Sequence, residues 1–186
     1  SVLVPLLPLV KNNIIDGSGI VINSLSGVSG AGRKLAEDFL FCERNESTKA
    51  YGLVKHRHLS EIEEQLSFFA NKEIIVQFTP HIVPLNRGIA TTITISNAGN
   101  CLEKIYEIWR KYYADKQFIS ILESGSTPDT KWVCQTNRID FSATYDARTN
   151  NILITSAEDN LMKGAAGQAI QIMNIWCDFE ESAGLT

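Results

Sequence analysis

Apolar and polar residues change their spacing several times along this chain, and each change marks an element. Residues 2 to 10 (VLVPLLPLV) are almost wholly apolar and suit a helix whose start Pro5 and Pro8 limit. Residues 19 to 24 (GIVINS) read as a β-branched strand. It runs into a glycine-rich loop at 26 to 32, and a helix is predicted from 33 to about 42. Residues 49 to 55 read as a strand ending at His56-Arg57-His58. Ser60, with Glu63 three residues on, has the form of a capping box, and the helix it opens places Ile62, Leu66 and Phe69 on one face. Strands are predicted at 73 to 79 and 88 to 96. The prolines of Pro80-His81-Ile82-Val83-Pro84, between those strands, exclude a continuous helix. Asn100 and Glu103 signal a second helix start, running to about Tyr113, followed by a short strand at 118 to 123 and a turn at 125 to 129. Ile139, Phe141, Ala143 and Tyr145 then alternate with Asp140, Ser142 and Thr144, the period of a sheet buried on one face. A turn at 146 to 150 and a strand at 151 to 155 complete a hairpin, and a long helix is predicted from 159 to 179.

This order predicts an α+β fold with a mixed, largely antiparallel sheet and helices on one face. The other face must be polar or covered by a partner. No repeat, linker or low-complexity segment divides residues 1 to 186, so a single domain is expected. Hydrophobic residues at 44% and charged residues at 20% fit a globular core, and the net charge of −4 argues against a nucleic-acid partner. No apolar run approaches the roughly 20 residues of a membrane-spanning helix. The opening segment has neither the basic lead nor the cleavage site of a signal peptide and reads as an element cut from a longer chain. Cys42, Cys101, Cys134 and Cys177 form no CxxC pair, which points to reduced thiols in a cytoplasmic protein.

Four segments carry candidate chemistry. In Ser26-Gly27-Val28-Ser29-Gly30-Ala31-Gly32-Arg33-Lys34, glycines let backbone N–H groups approach an anion, Ser26 and Ser29 add hydroxyls, and Arg33 adds a planar fork. The structural alternative is a plain strand-to-helix turn. Gly32 is followed by Arg33, which excludes a Walker loop, and Ile22 stands where Gly17-Ser18-Gly19 would need a third glycine for a dinucleotide fingerprint. His56 and His58, if extended, point to one side and suit proton transfer near neutral pH. His81, Asn86 and Arg87 are presented from a proline-stiffened stretch, or belong to a rigid connector. His56, His58 and His81 together also permit a zinc site with an open position, with Glu61 or Glu63 as base. Finally, Gly164, Ala165, Ala166 and Gly167 open one helix to close contact, and Ile170, Met173, Ile175 and Trp176 further along it read as core.

The segments SGVSGAGRK, HRHLSEIEEQ, FTPHIVPLNRGI and DNLMKGAAGQAIQIMN resemble, in order and over residues 20 to 180, the N-acetyl-gamma-glutamyl-phosphate reductase family. The last segment also occurs in aspartate-semialdehyde dehydrogenases, which lack the HRH segment. The resemblance implies a glyceraldehyde-3-phosphate dehydrogenase-like C-terminal domain that binds substrate and makes the subunit contact of a homodimer or higher homo-oligomer. It further implies an NADP-dependent conversion of an acyl phosphate to a semialdehyde in arginine biosynthesis. NADP would be held mainly by an N-terminal domain absent from this chain, and the nucleophilic cysteine would lie just before Ser1. None of the four cysteines has the matching context, so no metal and no nucleophile is assigned here, and the chain alone is expected to be inactive. His56 would be the general acid/base. Ser26, Ser29, Arg33 and His58 would line the substrate side, His81 and Arg87 would lie near the same pocket or the dimer contact, and Asn160 would reach the nicotinamide. Ser60 stands where the family usually has proline. A stand-alone dimerisation module without chemistry is the competing reading.

Overall fold

A computed structural model describes all residues except Lys34 and Asn97. Seven strands form one sheet in the order β2-β3-β1-β4-β7-β6-β5: β1 (Ile20–Gly27), β2 (Lys49–Ala50), β3 (Gln77–Val83), β4 (Ile89–Ile95), β5 (Ile119–Ile121), β6 (Ile139–Asp146) and β7 (Asn151–Glu158). The β1–β3 and β5–β6 pairs are parallel and the other neighbours antiparallel, as the mixed pattern predicted. Helices α1 (Leu3–Lys11), α3 (Arg57–Ala70) and α4 (Leu102–Tyr113) cover one face. Their apolar stripes meet Ile20, Ile22, Ile93, Ile95, Phe141, Ile152 and Ile154, with Trp109 fully buried at the centre.

Pro8 sits inside α1 and has no N–H for the carbonyl of Val4 four residues back. The Tyr113 hydroxyl donates to that carbonyl at 2.7 Å, and Trp109 Nε1 donates to Pro5 O at 2.8 Å. A similar repair occurs in the sheet. β5 pairs only as far as Phe141, and beyond it the Tyr106 hydroxyl accepts from Ala143 N–H (3.0 Å) and donates to Ala143 O (3.2 Å).

The second face is polar over much of its area. Register places Asn23, Thr92 and Thr155 in one row across β1, β4 and β7, with Thr79 beside them on β3. At the far edge Ser142 Oγ donates to Ser126 O (2.6 Å), so the segment between β5 and β6 covers that end. This segment carries the short helix α5 (Thr130–Val133).

Several boundaries differ from expectation. The helix predicted over 33 to 42 is replaced by short 3-10 turns at Val28–Ala31 and Glu37–Phe39 and a single turn, α2 (Phe41–Arg44); Lys34 lies outside the described residues. This stretch lacks an apolar face to bury, since Leu35, Leu40 and Phe41 are all exposed. The strand expected at 49 to 55 is only two residues long. α3 starts earlier than Ser60 because His56 caps it, Nδ1 accepting from His58 N–H at 3.3 Å, while Ser60 Oγ turns back to Arg57 O. β3 lies further on than predicted and takes in Pro80 and His81. Asn100 does not cap α4; Cys101 holds that position without a side-chain bond. The final helix is a π turn at Met162–Ala166 leading into α6 (Gly167–Trp176).

Candidate functional site

The helix-covered face is apolar along most of its length and turns polar where β1 and β7 end and β4 begins. Ser24, Thr91 and Ser156 continue the rows of Ile22, Ile93 and Ile154 on that face. Ser24 Oγ and Thr91 Oγ1 are 2.8 Å apart, and Thr91 Oγ1 donates to Ser1 Oγ at 2.9 Å. Ser156 Oγ donates to Ser1 O (2.8 Å). Three strand ends therefore grip the main chain as it enters α1. Ser26 extends the same row of β1 toward the glycine loop.

His56 and His58 flank the start of α3. The His56 ring packs edge-on against Tyr51, His58 and Phe78, with centroids 5.0 to 5.4 Å away. Phe78 packs against the helix-side core, so His56 stands on the helix face of the sheet. Burial, then the neighbouring His58 and Arg57, holds the His56 imidazole below its ordinary value. For His58 burial again leads, Arg57 adds to it and Glu61 opposes. Because His56 Nδ1 accepts a backbone N–H, its neutral form carries the proton on Nε2.

The glycine loop is zipped onto the turn that joins β3 to β4. Gly27 N–H donates to Gly88 O, Val28 N–H to Leu85 O and Ser29 N–H to Asn86 O, at 2.8 to 3.2 Å. A Cβ on Gly27 would come within 2.8 to 2.9 Å of the Asn86 and Leu85 backbone, so the close approach needs glycine there. Ser29 Oγ donates to Asn86 O at 2.6 Å and accepts from Asn160 Nδ2 at 2.9 Å. An open cleft of about 610 Å³ lies beyond, lined by Ser29, Arg33, Leu35, Phe39 and Leu40 among others. Arg33 is the cation in its wall.

Other expected site residues are engaged inside the protein. Arg87 Nη1 pairs with the fully buried Asp159 at 3.3 Å. Asp159 Oδ2 also accepts from Gln135 N–H, and Oδ1 accepts from Leu161 and Met162 N–H. Burial alone would raise the Asp159 carboxyl, but these N–H groups and Arg87 outweigh it and hold it below the usual carboxylate value. Asn160 is 6% exposed, with Oδ1 accepting from Gly88 N–H at 2.8 Å. His81 does not join His56 and His58. Strand alternation puts it opposite Leu25 on the uncovered face, whereas Phe78 and His56 lie on the helix face. Among the described residues no group of three or more His, Cys, Asp or Glu is placed to hold a metal ion, so the zinc arrangement is not formed.

The residue pattern did not single out Glu158, Lys163 or Asp159 as site members. Lys163 is buried, donates to Gln171 Oε1 at 2.6 Å and lies over the Phe118 ring. Burial lowers its ammonium pKa, opposed by Glu158 and Glu181. The readable signal was Glu158 itself, an acid at the position where the alternation of β7 calls for a buried residue. Gly167 does what its small size suggested. A Cβ there would lie 2.5 Å from Asn137 Oδ1, so the helix passes against that amide.

The profile described as "Semialdehyde dehydrogenase, dimerisation domain" matches residues 1–160. The chain belongs to the semialdehyde dehydrogenase dimerisation-domain family. This semialdehyde dehydrogenase domain is 48% identical over its whole length to an N-acetyl-gamma-glutamyl-phosphate reductase of Alkaliphilus metalliredigens and spans 54% of that protein. It is 47% identical, over 97% of its length, to the reductase of Acetivibrio thermocellus, of which it spans 53%. The chain thus covers about half the length of these curated relatives. Aspartate semialdehyde dehydrogenase II of Vibrio cholerae shares the fold at a TM-score of 0.64 and 18% identity, over 95% of this chain and 59% of that one. The Francisella tularensis aspartate semialdehyde dehydrogenase does so at 0.66 and 14%, over 93% and 61%. The sheet and helices therefore share the fold of these aspartate semialdehyde dehydrogenases.

Proposed function

We propose that this domain forms the substrate side of an NADP-dependent N-acetyl-gamma-glutamyl-phosphate reductase, which converts the acyl phosphate to N-acetylglutamate semialdehyde with release of phosphate. The observation that carries the reading is identity of 47 to 48% with such reductases over nearly the whole chain. The geometry supports it. Ser26 lies at the polar end of the helix-covered face, where His56 also stands at the start of α3, and Ser29 and Arg33 line the cleft beside the glycine loop.

Arg33 supplies a fork for an anionic group in the cleft. His56, neutral at pH 7 with its proton on Nε2, donates a hydrogen bond from that N–H to the oxygen that gains charge when the acyl carbonyl is attacked, and so stabilises the tetrahedral centre while keeping its proton. The bonds from Thr91, backed by Ser24, and from Ser156 fix the main chain at Ser1, and so the direction from which a preceding nucleophile would arrive. NADP supplies the hydride in such a reaction. Asn160, the one residue of this chain offered to it, has Oδ1 bonded to Gly88 N–H and Nδ2 bonded to Ser29 Oγ, so the reading leaves NADP to be held mainly by a cofactor domain.

The second face accounts for one further residue. Its row of Asn23, Thr92 and Thr155 suits a second copy, which would put His81 at the subunit contact. α6 exposes Ile172, Met173, Ile175 and Trp176, an apolar surface that suits packing against the cofactor domain, where core packing had been expected. The setting is a biosynthetic enzyme of the cytoplasm.

The test is an assay of the full-length protein for NADP-dependent oxidation of N-acetylglutamate semialdehyde in the presence of phosphate. Turnover with that substrate and none with aspartate semialdehyde is expected. The reverse preference would move the protein to the aspartate-semialdehyde dehydrogenases, and no turnover with either would leave a dimerisation module. Residues 1 to 186 alone are expected to give no turnover in the same assay.

A further inference from the structure

We infer that Asn160 is a positioning residue that holds the substrate loop in place, and not a ligand of the nicotinamide; the inference rests on the reductase reading above. Its amide orientation is fixed by chemistry. Gly88 N–H can only donate, so the carbonyl oxygen Oδ1 must face it, at 2.8 Å, and Nδ2 is thereby turned to Ser29 Oγ at 2.9 Å. Ser29 has a single hydroxyl proton, and that proton goes to Asn86 O at 2.6 Å. The hydroxyl can therefore meet Asn160 only as an acceptor, and an aspartate at 160 could not replace the donor. Donors and acceptors run in one direction through Gly88, Asn160, Ser29 and Asn86. This ring closes the glycine loop over the β3–β4 turn, on top of the backbone bonds from Gly27, Val28 and Ser29.

The position of Asn160 gives the ring a second role. It lies between Asp159, which caps the last helix and grips Arg87, and the π turn leading into α6. Arg87 and Gly88 are adjacent, so Asp159 and Asn160 hold the same turn by side chain and by backbone. A shift of the start of α6 moves both contacts together. The loop that carries Ser29 and Arg33 is thereby tied to the helix whose exposed apolar side faces away from the sheet core. Asn160 acts on the substrate through the loop.

The experiment uses the full-length protein with Asn160→Ala and Asn160→Asp, steady-state kinetics for both substrates, and amide hydrogen exchange of the peptide covering residues 26 to 31. Loss of one buried hydrogen bond is expected to raise the KM for phosphate or acyl phosphate roughly five- to tenfold, with the NADP KM within about twofold of wild type. Exchange of residues 26 to 31 is expected to speed up. In a Ser29→Ala background the Asn160→Ala effect should shrink, because the two groups share one bond. A raised NADP KM with an unchanged phosphate KM, or unchanged exchange in the loop, would overturn the inference. Should Asn160→Ala fail to fold, Asn160→Asp decides on the same readouts, since it keeps the acceptor for Gly88 and removes the donor to Ser29. Should the wild type lack reductase turnover, the functional reading fails and the exchange measurement still decides the role of Asn160.

Discussion

His56 and His58 are partly withdrawn from water on an otherwise exposed helix start, and this makes them pH-sensitive. Their folded-state values lie below the 6.5 of a free imidazole, so the unfolded chain binds protons more readily than the folded one. The stability that the neutral rings contribute is present above pH 6.5 and is lost as pH falls through their lowered folded values. Thermal melts between pH 7.5 and 5.5 should show a falling midpoint, and His56→Asn with His58→Asn should flatten that slope. The catalytic counterpart is read in the full-length enzyme. His56→Ala is expected to lower turnover by roughly 10²- to 10⁴-fold with the fold intact by circular dichroism. A wild-type rate, with His58→Ala inactive, would transfer the role to His58.

At the scale of elements, side chains repair what the backbone leaves open. The clearest case is Asp159, which gathers three N–H groups and Arg87 at the start of the last helix. Asp159→Ala is expected to cost about 2–3 kcal/mol, the loss of a cap together with unpaired buried donors, measured by urea denaturation. Asp159→Asn should cost less, because one acceptor oxygen remains. The same scale shows what the residue pattern could reveal. The alternation of β6 and the full apolar stripe of α4 made both elements legible, although the polar side of β6 is itself buried at Asp140 and Ser142. The stretch from 33 to 55 was not, since its apolar residues are exposed and its shape is set by contacts with β3. The start of α3 was misplaced because a histidine ring nitrogen did the work expected of the Ser60 hydroxyl. Of the residues proposed for the site, Ser26, Arg33, His56 and His58 stand out by residue type. That Ser29, Arg87 and Asn160 bond to one another's neighbours, and that His81 faces the other way, depends on strand register, which no local motif encodes.

Across the whole molecule the two faces of the sheet divide the labour. One is filled by α1, α3 and α4. The other carries a row of threonine and asparagine, the face proposed above to meet a second copy. A bulky charge in the middle of that face should therefore separate subunits without touching the core. Thr92→Arg, at an exposed position on β4, is expected to shift the protein toward monomer in light scattering at micromolar concentration while the thermal midpoint of the domain changes little. An unchanged mass would place the contact elsewhere.

The strand order also dictates how the chain must assemble itself. β4 joins two partners distant in sequence, pairing Ile95 with Ile20 on one side and Ile89 with Glu158 on the other. The 139–158 hairpin is the one sheet pairing that closes through a short turn. It is the natural nucleus, and the middle of the sheet can zip only after long stretches of chain have been brought back. Refolding should accordingly be slow, with the histidine-bearing edge at β2 and β3 among the last parts to take shape.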